Sequence, residues 1–102
     1  MIARLWHGIT HRAKSDRYLE YLKETGVKDY VATEGNKGVY VLRRMEGDRA
    51  HFLIISLWNS FSSIEKFAGK DIEKAVYYPE DKDYLLEFEP SVQHYEVLEE
   101  RR

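Results

Sequence analysis

Two histidines stand where a general base would be useful: His7, in the strand-like run Ile2 to Thr10, and His94, in the closing run Val92 to Leu98. An imidazole, with an unperturbed pKa of ~6.5, can take or give a proton at neutral pH. A structural histidine, hydrogen-bonded within a sheet, is the competing reading for each. Trp6, Trp58 and Tyr77 are large aromatics suited to the walls of a flat pocket. Asn59 follows Trp58 at the mouth of a turn, where its amide could bind an oxygen substituent. Core packing is the ordinary alternative for the aromatics, and turn chemistry for the asparagine.

The same inventory excludes several chemistries. His7 and His11 do not make a metal pair, because four residues along a strand separate them by roughly 13 Å. There is no His-Glu-x-x-His, carboxylate triad or EF-hand spacing, so no metal site is expected. His51 lies beside a hairpin and reads as exposed. Without cysteine the chain has no disulfide and no thiolate nucleophile. It also lacks a glycine-rich dinucleotide fingerprint and a P-loop, and its serines cluster where helix capping explains them. No cofactor is expected.

With 16 basic and 18 acidic residues spread along 102, and a net charge of -2, there is no basic stripe for nucleic acid. No apolar run approaches the ~20 residues of a membrane helix, and Met1 to His7 is too short and polar for a signal peptide. A cytoplasmic location is expected. The length suits a single domain over residues 1–102, and 43% apolar residues supply its core.

These candidates must be positioned by elements legible in the pattern. After the first strand, Ser15 offers an N-cap, Tyr18, Leu19 and Leu22 follow at helical spacing, and Gly26 supplies a stop. Lys28 to Gly38 reads as a loop. Val39 to Met45 and Ala50 to Trp58 read as strands joined through Gly47-Asp48, a pair suited to a type II′ turn. Ser60 caps a second helix carrying Ile64, Phe67 and Ala68, and Gly69 ends it. Asp71 to Val76 reads as a short further helical turn closed by Pro79, then a partly helical excursion passes through Tyr84-Leu85-Leu86. Val92 to Leu98 is the last strand.

The order β-α-β-β-α-β is the split βαβ pattern. It predicts an α+β, ferredoxin-like fold: a four-stranded antiparallel sheet with both helices on one face. The third strand is apolar on both faces, with Phe52, Ile54 and Trp58 against Leu53, Ile55 and Leu57. Two helices cover one face only. A second copy packed sheet to sheet is the economical cover for the other, so a homodimer is expected. Arg43 and Arg44 are consecutive, and a strand sends one to each face.

Three stretches also resemble a known family. Met1-Ile2-Ala3-Arg4-Leu5-Trp6-His7-Gly8, Phe67-Ala68-Gly69-Lys70-Asp71 and His94-Tyr95-Glu96-Val97 are similar to the antibiotic biosynthesis monooxygenase family, and the likeness runs over nearly the whole chain. The resemblance implies a dimeric α+β barrel with a pocket between each monomer's sheet and helices. Haem-degrading relatives use an asparagine on the first strand, a tryptophan on the second helix and a histidine just after it. The matching positions fall near His7, Phe67 and Tyr77, none of which is the required residue. Haem degradation is therefore not the expected activity.

What the resemblance implies instead is a cofactor-independent monooxygenase acting on a small electron-rich aromatic, a phenol or hydroquinone. His7 or His94 would be its base, Trp6, Trp58 and Tyr77 its walls and Asn59 an anchor. The rival readings are a non-catalytic homodimeric module binding a small hydrophobic ligand, and an assembly module. A histidine in a pocket favours the enzyme, an apolar pocket favours binding, and a filled core favours assembly.

Overall fold

The computed structural model describes all 102 residues, Met1–Arg102. Four strands, β1 (Ile2–His11), β2 (Asn36–Glu46), β3 (Arg49–Trp58) and β4 (Gln93–Glu96), form one sheet in the order β2-β3-β1-β4, with every neighbouring pair antiparallel. Helices α1 (Ser15–Glu24), α2 (Gly26–Ala32) and α3 (Phe61–Ala68) complete the ferredoxin-like α+β fold.

Strand alternation decides which face each side chain meets. Ile2, Arg4, Trp6, Gly8 and Thr10 of β1 are buried on the helix side, as are Ala50, Phe52, Ile54, Ser56 and Trp58 of β3. Leu5, His7, Leu53, Ile55 and Leu57 lie half-buried on the open face. Trp58, Tyr18, Phe52 and Ile64 are fully buried and centre the core. The hairpin forms as its turn chemistry requires. Gly47-Asp48 links the Glu46–Arg49 pair, and Gly47 takes φ 59° while Asp48 does not go positive, which is the type II′ signature.

Several local expectations change. Ser15 is not a cap but the first residue of α1, buried, following a 3₁₀ turn over Arg12–Lys14. Gly26 ends one helix yet opens another, so part of the expected loop from Lys28 is helical. The reason is tertiary: Tyr30, one turn beyond Gly26, is buried against the Trp58 ring (centroids 6.1 Å apart) and Phe67 (4.5 Å). The turn expected over Asp71–Val76 is not helical. Its backbone pairs across the chain instead, Ala75 N–H donating to Pro90 C=O and Val92 N–H to Glu73 C=O. Partners outside the segment satisfy the groups a helix would have paired internally. Likewise only Asp81–Asp83 form a 3₁₀ turn, after which Leu85 bridges to Thr10 of β1.

Asp81 is buried and holds that excursion. It accepts from Tyr18 Oη (2.9 Å) and from the Tyr78 backbone N–H (2.6 Å). Burial pushes its carboxyl above the usual range, and the two hydrogen bonds oppose the rise. Tyr18→Phe strips one donor from this buried carboxylate. The expected cost is about 1–3 kcal/mol, to be read as a lower urea midpoint at unchanged slope.

Candidate functional site

The two histidines proposed from sequence are not brought together. Register pairs His94 with Arg4, which is buried on the helix side, whereas His7 pairs with Leu53 on the open face. The sheet separates them. Adjacent strands guarantee proximity of backbones only; alternation then sends the two side chains apart.

On the helix side the surprise is Arg4. Its side chain is 1% exposed, and no carboxylate lies within ion-pair distance of it. Nη1 donates to Ile72 C=O and Nη2 to Lys74 C=O (3.1 Å), Nη1 also meets His94 Nε2 (3.1 Å), and Nε has no partner. The guanidinium lies over the Phe67 ring, 5.7 Å from its centroid. Burial lowers the pKa of Arg4, and the neighbouring Tyr30 phenol opposes that. A buried ion without a counter-charge costs several kcal/mol, so neutral dipoles alone hold this one at a penalty.

Since guanidinium nitrogens only donate, His94 Nε2 must accept from Arg4, which leaves the proton on Nδ1. Burial lowers the pKa of His94, and the charge on Arg4 lowers it further. The ring is therefore held neutral, as a base must be. Phe61 packs edge-on against it at 5.9 Å. Folding depresses this pKa, so its contribution is present above the ordinary histidine range and lost as pH falls through the folded value. Between about pH 7 and pH 5 the melting temperature should fall less in His94→Gln than in the parent, as circular dichroism would record.

The predicted aromatic walls also belong to this side. Trp6 and Trp58 are buried, and Tyr77 meets Trp6 edge-on at 6.2 Å. They share no cavity, for only Trp6 lines one. That cavity, bordered also by Tyr18, Tyr30 and Ile54, measures only about 10 Å³, room for one water at most. Trp58 Nε1 donates to Ser56 Oγ (2.9 Å), and its ring packs against Phe67 at 6.1 Å. Asn59 is an exposed turn residue whose backbone N–H donates to Gly35 C=O (2.9 Å). Outside the packed layer, a groove of about 370 Å³ runs between α2 and α3, lined by Asp29, Thr33, Lys66, Val76 and Tyr78. Phe67 is common to the groove and to Arg4.

The open face holds a different arrangement. His7 Nδ1 bonds the Glu89 carboxylate, His7 Nε2 meets His51 Nδ1 (3.1 Å), and His51 Nε2 meets Glu46 Oε1 (3.0 Å). His51 was expected to be exposed; its side chain is only 16% so, because β1 and Glu46 enclose it. Arg44 and His51 hold the Glu46 carboxyl below its usual range. Two cavities, about 360 and 250 Å³, adjoin this chain and share His7 and Leu53. Arg43 does turn to the other face, pairing with Asp16 on α1 (2.7 Å), while Arg44 pairs with Glu46 (3.2 Å).

Arg4, Glu89 and Glu46 were missed as site residues. Arg4 had a readable signal, since it shares the parity of Ile2 and Trp6 in an otherwise apolar alternation. Glu89 had none: it lies in a segment without periodicity.

The chain matches no protein-family model and no curated protein. Among solved structures it is similar to an arginine-to-serine mutant of MhuD with two manganese protoporphyrin IX bound per active site. The TM-score is 0.63 at 16% identity, covering 100% of this chain and 99% of that one. At that identity the likeness establishes architecture, and the chain shares with MhuD the ferredoxin-like α+β fold.

Proposed function

We propose that this protein is a cofactor-independent monooxygenase that works as a homodimer and acts on a small electron-rich aromatic, a phenol or hydroquinone. One observation carries the reading: a neutral imidazole, His94, held against a buried guanidinium that lacks a counter-ion. A base beside an unpaired cation suits the conversion of a phenol into its anion. The substrate hydroxyl gives its proton to His94 Nε2, and the oxyanion takes over the bond from Arg4 Nη1. The electron-rich anion then reacts with dioxygen. Hydroquinone plus dioxygen gives hydroxyquinone plus water, so the substrate itself supplies the electrons. The role of the chain is proton transfer, orientation and exclusion of bulk water.

Entry runs through the groove between α2 and α3, with Phe67 as the movable element, since that ring has Arg4 on it and also lines the groove. A protein of this fold that holds two flat macrocycles in one active site supports a planar ligand here. The homodimer reading rests on the open face, where Leu5, Leu53, Ile55 and Leu57 have no covering element, and where Tyr40 and Leu42 are exposed.

The test is oxygen uptake by the purified chain with a panel of phenols and hydroquinones, without flavin, nicotinamide or added metal. Product should appear as quinone from a phenol or hydroxyquinone from a hydroquinone, with equimolar oxygen consumed and one water formed. The packed helix layer favours a second reading, a non-catalytic homodimer whose fold serves assembly alone. Neither oxygen uptake nor saturable binding across the panel would establish that reading, and saturable binding without oxygen uptake would establish a module that binds a small hydrophobic molecule.

A further inference from the structure

A buried guanidinium needs an acceptor for each of its nitrogens and a negative charge to balance its own. Arg4 has part of the first and none of the second. Nη1 donates to Ile72 C=O and meets His94 Nε2 (3.1 Å), and Nη2 donates to Lys74 C=O (3.1 Å). Nε has no partner, although the residue is 1% exposed. All of these acceptors are neutral. None of the chain's ion pairs involves Arg4. Glu73 acts only on His94, where burial and the Arg4 charge outweigh it. Packing does not require an arginine here, since Ile2 and Trp6, at the same parity on either side, fill the same layer. A phenolate at Nη1 forms only after its proton has gone to His94, and it leaves Nε as it was.

We propose that the substrate of this site carries a permanent carboxylate, held by Arg4 at Nε: the ligand class is a phenol or hydroquinone that is also an aryl carboxylate. This rests on the monooxygenase reading for the role of the hydroxyl. A carboxylate brings the missing charge and accepts a charge-assisted bond from Nε–H. With the carboxylate at Nε and the hydroxyl at Nη1, one guanidinium fixes the ring with its reacting oxygen toward His94. The approach suits an anion. The groove of about 370 Å³ is parted from Arg4 by the Phe67 ring, which lies 5.7 Å from the guanidinium. Lys66 lines that groove, and its partner Glu34 is exposed, so the pair is cheaply broken. The groove's one carboxylate, Asp29, is engaged by Tyr78 Oη (2.7 Å).

Calorimetry on the full chain without oxygen tests this, with dihydroxybenzoate, its primary amide and unsubstituted hydroquinone as probes. The carboxylate should bind roughly 10–100-fold more tightly than the amide. In NMR, the Arg4 Nε–H resonance should move downfield with the carboxylate and stay put with the amide. Arg4→Lys keeps a cation for the Ile72 and Lys74 carbonyls but has no counterpart of Nε, so it should lose most of the preference. If that variant does not fold, the Nε–H shift in the parent decides. Equal binding of carboxylate and amide, or binding of neither, overturns the proposal. A preference unchanged in Arg4→Lys, or an unmoved Nε–H, places the anion elsewhere and overturns it too. Oxygen uptake is read separately. Uptake with hydroquinone but no carboxylate preference sinks this inference and spares the monooxygenase. Carboxylate preference without uptake from any probe sinks the monooxygenase and leaves Arg4 as a carboxylate site.

Discussion

His94→Ala is expected to lower oxygen-dependent turnover of a hydroquinone by ~10²–10⁴, the usual cost of deleting a general base. The loss should fall on kcat more than on KM, because the imidazole acts on the proton as it leaves and Arg4 still holds the oxygen. In the parent, the rate should rise with pH through the titration of His94 and then level off. Since burial and Arg4 both lower that pKa, the rise should lie on the acid side of the ordinary histidine range. His94→Gln keeps a polar group in place and should share the loss while the protein stays folded. The sharper control is His7→Ala. That residue is on the opposite face of the sheet, so its removal should leave kcat close to the parent's. Equal losses in His7→Ala and His94→Ala would move the chemistry away from Arg4 and sink the assignment of the base.

The second large effect concerns assembly. Leu53 sits between the two open-face cavities, in the middle of β3, and Ile55 follows on the same face. Leu53→Asp or Ile55→Asp should turn a micromolar dimer into monomer. Covering an unpaired carboxylate with a second sheet costs several kcal/mol, enough for roughly a 10³-fold weaker association. The side chains are half-exposed in the single chain, so either variant can still fold; its melting temperature should lose the dependence on protein concentration that the parent shows. Sedimentation velocity with circular dichroism separates lost assembly from lost folding. A parent that remains a stable folded monomer at that concentration would refute the homodimer.

Much of the architecture is legible in local chemistry. Alternation in Phe52-Leu53-Ile54-Ile55 marks β3 and its two apolar faces, Gly47-Asp48 sets the hairpin, and Ser60 with Gly69 brackets α3, its hydroxyl accepting from Ser63 N–H (3.3 Å). These signals operate within a few residues, so they survive without knowledge of the rest of the chain. The stretch from Gly69 to Val92 is different. Its partners are Arg4, Thr10 and Ile9 on β1, distant in sequence, and those long-range bonds override the helical spacing of Ile72, Ala75 and Val76.

The residue types that the candidate site uses were also legible, a histidine on the first strand and one on the last, with aromatics beside them. Their grouping was not. Whether two histidines on neighbouring strands meet depends on register, and a shift of one residue exchanges the faces. The tertiary structure placed His94 against a buried Arg4 and His7 against Glu89 and His51, on opposite sides of one sheet. It also filled the layer between sheet and helices with Trp6, Tyr30, Trp58 and Phe67, because side-chain volumes meeting from four elements decide cavity size and no single segment encodes that sum. Composition and periodicity determined the fold and the menu of chemistry; register and packing decided which groups share a site.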